Sequence, residues 1–134
     1  MAKPLPFHPR AGQILVCDFS GFHPPEIGKV RPVVVISPKL DFRSELATVV
    51  PLSTRAPRVD VAYVCQLERN YTPWGAEDQA SFAKCDLVMN IGLHRLSGFK
   101  VDRRKYITPK VSDADLKKIR RAVLAGLGFP SIEL

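Results

Sequence analysis

The chain's patterning predicts a mainly β protein with a C-terminal α-helix, folded as a single domain around a small, strongly curved sheet or half-open barrel. Three observations carry this. Five apolar strand candidates are packed into about 90 residues, with turn formers between them and no helical period, which excludes an alternating α/β fold. The hydrophobic spacing then changes to that of a helix near the C-terminus. Finally, 134 residues with 46% hydrophobic and 25% charged content suit one globular domain with its own core.

Taken in order, residues 1–11 read as a proline-rich, extended N-terminal arm, and residues 12–134 as the domain. Strands are predicted over 13–19, 32–37, 46–53, 60–66 and 81–91. The breaks between them contain Gly21, Pro24, Pro25 and Gly28, then Pro38 and Asp41, then Pro57, then Asn70, Pro73 and Gly75. The second strand is an unbroken β-branched run, Val33-Val34-Val35-Ile36, of the kind that fits a sheet covered on both faces. A helix is predicted over 113–127. Ser112 reads as its N-cap with Asp113 and Asp115 in the first turn; Leu116, Ile119, Val123 and Leu127 form its apolar stripe, and Gly126, Gly128 and Pro130 its stop. Lys117, Lys118, Arg120 and Arg121 lie mostly off that stripe, either as a solvated face or as a surface for RNA.

Composition narrows the function. Twenty Lys and Arg against 13 Asp and Glu give a formal net charge of +7, which favours a polyanionic partner such as nucleic acid. Cys17, Cys65 and Cys85 are widely spaced, each in a predicted strand, so they suit neither a disulfide framework nor a zinc site and read as small buried hydrophobes. The first dozen residues hold three prolines and no apolar core, unlike a signal peptide, and no run is long enough to span a membrane. A cytoplasmic location without membrane association is expected.

The familiar catalytic motifs are missing: no phosphate-binding glycine loop, no His-Glu-x-x-His, no nucleophile elbow and no metal-spaced cysteine pair. No metal or cofactor is therefore expected. What the chain offers is arginine and hydroxyls. Arg31 stands with Pro32 at the mouth of the second strand, where a planar fork of donors is held on a rigid element and suits phosphate. The third strand ends Leu52-Ser53-Thr54, and strand alternation would allow only one of Ser53 and Thr54 to face a given site. His23 is the histidine nearest Arg31 in sequence. RNA cleavage can run on so little, because the ribose 2′-hydroxyl is the nucleophile and the protein need only stabilise charge on the phosphorane.

Three blocks, Gly12-Gln13-Ile14-Leu15-Val16, Glu26-Ile27-Gly28-Lys29-Val30-Arg31-Pro32-Val33-Val34-Val35-Ile36 and Val50-Pro51-Leu52-Ser53, resemble the PemK/MazF family of toxins from bacterial type II toxin–antitoxin pairs. Residues 81–96, ending His94-Arg95-Leu96, are similar to the family's penultimate strand and the Arg-Leu after it. The likeness runs from about Gly12 to Leu127. It implies an SH3-like small β-barrel of the PemK/MazF/CcdB kind, assembled as a homodimer. It further implies a metal-independent endoribonuclease that cuts single-stranded RNA by 2′-hydroxyl transesterification, and an acidic antitoxin as partner. The implied catalytic residues are Arg31 and Ser53, or Thr54 one step on. Glu26, Lys29 and His23, in the loop before Arg31, are the candidate substrate-binding residues, with Glu26 ordering that loop through Lys29 or Arg31. The chain departs from the family in having serine where threonine is usual, Pro24-Pro25 before the loop acid, no arginine near Met89, and a longer segment 67–80. Tyr71 and Trp74 in that segment suit either base stacking or, for Trp74, a hydrophobic plug or dimer contact. Two alternatives stand beside the nuclease: a non-catalytic toxin on the same barrel that binds DNA gyrase through residues 129–134 and the helix, and a nucleic-acid-binding barrel without chemistry.

Overall fold

Val33, Val34 and Val35 are all fully buried, yet strand geometry points alternate residues to opposite faces. The sheet must therefore be covered on both sides. It is: Val34 joins a core cluster with Ile14, Val50, Leu52, Phe99 and the helix residues Ile119, Ala122 and Val123. Val33 and Val35 join a second cluster with Leu15, Cys17, Phe19, Val49, Ile91 and Leu96. The computed structural model that carries these contacts describes residues 5–129.

The strands are β1 (Ile14–Asp18), β2 (Val30–Val35), β3 (Leu46–Ser53), β4 (Val64–Gln66), β5 (Phe82–Lys84), β6 (Met89–Gly92), β7 (Leu96–Ser97), β8 (Phe99–Asp102) and β9 (Lys105–Ile107), followed by one helix, α1 (Asp113–Gly126). The main sheet runs β4-β5-β3-β2-β1-β7, with β6 also on β3; β8 and β9 form a separate hairpin. Long β3 shares one flank between two strands. Its first half pairs with β6 (Thr48 opposite Asn90) and its end pairs with β5 (Leu52 opposite Ala83). That division curves the sheet into an open, barrel-like shape, as the sequence implies.

Two predicted elements differ, and one hairpin was not predicted. The expected strand 81–91 is interrupted by a 3₁₀ turn, Cys85–Leu87, so it becomes β5 and β6; Cys85 lies in that turn and not in a strand. The expected strand 60–66 is ordered as β only at Val64–Gln66. The β8–β9 hairpin carries the charged run Lys100 to Lys105, which hid its alternation from the hydrophobic pattern. Residues 5–11 of the arm hold no strand or helix, although Leu5 packs on the second core; residues 1–4, and 130–134 of the proposed gyrase-binding tail, lie outside the described residues.

The helix is capped as its sequence suggests. The Ser112 hydroxyl accepts from the Asp115 N–H at 3.1 Å. At the other end Gly128, at φ +90°, closes a Schellman motif in which Gly128 N–H donates to Ala125 O and Phe129 N–H to Leu124 O. Its buried face is Asp115, Ile119, Ala122 and Val123, while Leu127, expected in the stripe, is 62% exposed where the cap turns the chain outward. Two of the four helix cations are used within the fold: Arg120 donates to Ile36 O and Lys118 to Gln66 O. Among the described residues no helix is long and apolar enough to cross a membrane.

Candidate active site

β2 pairs with β1 from Val30 onward but with β3 only from Val33, so Pro32 stands before that second ladder begins, and its missing N–H costs no bond to β3. Val33 lies opposite Pro51. Arg31 and Ser53 each lie two residues beyond that pair, and both line the same two depressions. Arg31 is exposed, and its Nε donates to Gly28 O at 3.3 Å, leaving both Nη groups without a partner among the described residues.

Two depressions meet at this point. One, of about 260 Å³, is lined by Arg31, Ser53 and Thr54 with Asn70, Thr72, Trp74 and Ser81; the other, of about 390 Å³, is lined by the same three residues with Pro25, Ile27, Arg55, Lys84 and Leu87. Arg31, Ser53 and Thr54 are thus brought together on the rim that both share. The alternation argument, which admitted only one of the two hydroxyls, does not hold here: β3 ends at Ser53, and Thr54 lies beyond the pleat. The Ser53 Oγ accepts from the Arg55 N–H at 3.1 Å, a turn bond that leaves its own proton available to donate.

His23, Glu26 and Lys29 line neither depression. Among the described residues the ion pair is Lys118–Asp115, and none joins Glu26 to Lys29 or Arg31. Backbone bonds and Arg95 hold the loop. The Glu26 N–H closes a turn on His23 O at 2.8 Å, across the cis Pro24–Pro25 bond, and the Phe19 N–H donates to Lys29 O at 2.9 Å. Arg95, from the 3₁₀ turn after β6, sends one Nη to Asp18 O and Ser20 O, both at 2.9 Å, and lies 5.0 Å from the Phe22 ring. Lys29 itself takes φ 65°, which turns the chain into β2 just before Arg31.

The electrostatics favour an anion. Arg31, Arg55 and Lys84 line the depressions, and among the described residues no carboxylate or histidine does. Lys84 comes from β5, far from the others in sequence, and only strand pairing brings it close. No group of three or more His, Cys, Asp or Glu that could hold a metal occurs among the described residues. The thiols are elsewhere: burial pushes Cys17 up to about 12, while a hydrogen bond from Cys85 lowers the Cys65 thiol and raises that of Cys85.

Comparison with known proteins adds a family and a fold. A family model described as PemK-like, MazF-like toxin of type II toxin–antitoxin system matches residues 10–127. No curated protein matches the chain. Among solved structures, MazF from Deinococcus radiodurans in crystal form I is 19% identical at TM-score 0.67, over 92% of this chain and 99% of that one. An endoribonuclease in complex with its cognate antitoxin from a Mycobacterial species is 19% identical at TM-score 0.59, over 91% and 97%. A MazE–MazF complex from Deinococcus radiodurans is 17% identical at TM-score 0.61, over 92% and 99%. At these identities the structural likeness speaks for the fold.

Proposed function

The chain belongs to the PemK/MazF family of toxins from type II toxin–antitoxin systems, and on that premise we propose that it is a metal-independent endoribonuclease that cuts single-stranded RNA at short sequences. The observation that carries this reading is the Arg31 guanidinium, its two Nη groups without a partner among the described residues, on a rim shared with Ser53 and Thr54 between two depressions that these residues line with cations and with no acid.

The chemistry follows from what that rim contains. The ribose 2′-oxygen attacks phosphorus, the bond to the 5′-oxygen breaks, and the products are a 2′,3′-cyclic phosphate and a 5′-hydroxyl. Arg31 meets the negative charge that builds on the non-bridging oxygens, the kind of preorganised contribution that is often the largest in catalysis. Ser53 donates its remaining proton to the scissile phosphate, with Thr54 as the neighbouring donor. Among the described residues no carboxylate or histidine lines either depression, so the 2′-hydroxyl proton leaves to solvent and the 5′-oxygen gains one from solvent. Arg31 acts electrostatically, since a guanidinium keeps its charge and has no acceptor to offer a proton.

The same cationic rim suits an acidic antitoxin segment that folds across it and blocks RNA. The structural neighbours include toxins held by their antitoxins, which supports that partner for this chain. We place the active form in the cytoplasm as a homodimer. Incubating the protein with a long single-stranded transcript in EDTA tests the proposal. Cleavage at recurring short sequences, with cyclic phosphate and 5′-hydroxyl ends, is expected. An intact transcript contradicts the proposal, as does a requirement for divalent metal.

A further inference from the structure

The depression on the far side of Arg31 is built differently from its neighbour. Its wall is the long segment 67–80, and that segment is held rigidly from within. The side chain of Asn70, only 5% exposed, donates to Trp74 O and Ala76 O and accepts from the Thr72 N–H and hydroxyl. Gly75 takes φ +84°, where a Cβ would strike the Gln79 side chain. At its base the segment is tied to the helix: Asp115 accepts from the Glu68 N–H at 2.9 Å and from the Tyr71 hydroxyl at 2.7 Å.

This scaffold presents one large aromatic group to the cavity. Trp74 makes a T-shaped contact with buried Phe99 at 5.0 Å between ring centroids, yet remains 43% exposed and lines the depression. A hydrophobic plug would be covered. The same cavity is lined by Ser81, whose hydroxyl makes no protein hydrogen bond among the described residues. A part-exposed aromatic face and an unengaged hydroxyl in one cavity, next to an arginine suited to phosphate, suit one unpaired nucleobase.

We propose that Trp74 and Ser81 form a base-binding subsite beside the scissile phosphate, with Trp74 stacking one base of the single strand and the Ser81 hydroxyl bonding its edge. The proposal deepens the ribonuclease reading and rests on it for the identity of the phosphate at Arg31. Because the segment is already ordered by Asn70 and Asp115, binding the base need not organise the loop. The Asn70 amide is fully used inside the segment, so it cannot read the base, and Thr72 is largely engaged in the same network. Stacking is tolerant of base identity, and a hydroxyl can donate or accept. The subsite therefore adds affinity and sets register more than it chooses a base.

Trp74 is the chain's single tryptophan, so its emission reports on this site alone. The test titrates the wild-type protein with a short random-sequence single strand built on 2′-deoxyribose, which cannot be cut by 2′-hydroxyl attack, and follows both tryptophan emission and the anisotropy of a labelled strand. Quenching that saturates with binding is expected. Trp74→Ala should bind the strand about tenfold more weakly while Trp74→Phe retains most of the affinity. Binding without any change in emission overturns the subsite, as does unaltered affinity in Trp74→Ala; no binding at all does the same. Wild-type quenching needs no variant to fold, so a misfolded Trp74→Ala does not blunt the test. RNA cleavage measured in parallel separates the two readings. Cleavage without quenching removes the subsite and leaves the nuclease; quenching without cleavage removes the nuclease and leaves the subsite as a binding site.

Discussion

Ser53 and Thr54 share a rim with Arg31 because the strand that carries them stops at Ser53, and this makes their roles separable by single substitutions. Ser53→Ala removes a donor to a charged phosphate and should slow cleavage by about tenfold or more, as charge-assisted bonds contribute about 1.5–3 kcal/mol. Thr54→Ala should cost less, and single-turnover rates on one RNA decide the order. Elsewhere, the buried Cys17 thiol is held up at about 12 against an ordinary 9.0. The folded chain then keeps a proton that the unfolded chain releases, so this contribution to stability is complete below pH about 9 and is lost as pH rises toward about 12. Urea unfolding across that window should show a falling stability that Cys17→Ala flattens. The position of Arg31 was legible in the sequence, since a charged residue and a proline open a β-branched run. The joint placement of both hydroxyls was not, because the pleat rule holds only within a strand whose end the pattern does not mark.

The segment 67–80 and the helix behave as one unit because Asp115 joins them. Asp115→Ala would take the acceptor from the Glu68 N–H and leave the Tyr71 hydroxyl only Ser112 Oγ, in a part-buried place, at a cost of about 1–2 kcal/mol. A chemical denaturation midpoint measures this, and a shift below about 1 kcal/mol would mean the segment is held in some other way. Arg95→Ala should disturb the loop before β2 in the same manner, by releasing Asp18 O and Ser20 O. Its expected signature is a lowered rate of cleavage with little change in melting temperature. The helix and both its caps could be read from Ser112, Gly126 and Gly128, because capping is local chemistry. The burial of Asp115 could not, since first-turn acids ordinarily face water and only the long segment reverses that. The break between β5 and β6 was hidden for a related reason: Cys85, Leu87 and Val88 keep an apolar pattern through the 3₁₀ turn.

At the scale of the molecule, a net charge of +7 is a field that brings RNA in, but local cations determine the salt response. Arg31, Arg55 and Lys84 line the two depressions, and three phosphate contacts on a single strand predict a slope of about −2 for log affinity against log salt. A slope near zero would mean that the strand binds without phosphate contacts. The order and period of the strand blocks sufficed for a small curved sheet under a terminal helix, since both faces of β2 must be buried; the barrel type came from the family resemblance. How β3 divides its flank between β5 and β6 depends on tertiary pairing, which no local pattern encodes. If Arg31 carries the charge of the phosphorane, its loss must slow the chemical step itself. Single-turnover cleavage by Arg31→Ala, beside wild type on the same RNA in EDTA, with melting temperatures measured on both, decides this. A rate lower by at least about 100-fold with an unchanged melting temperature is expected; a rate within tenfold of wild type by an equally folded variant removes Arg31 from the chemistry.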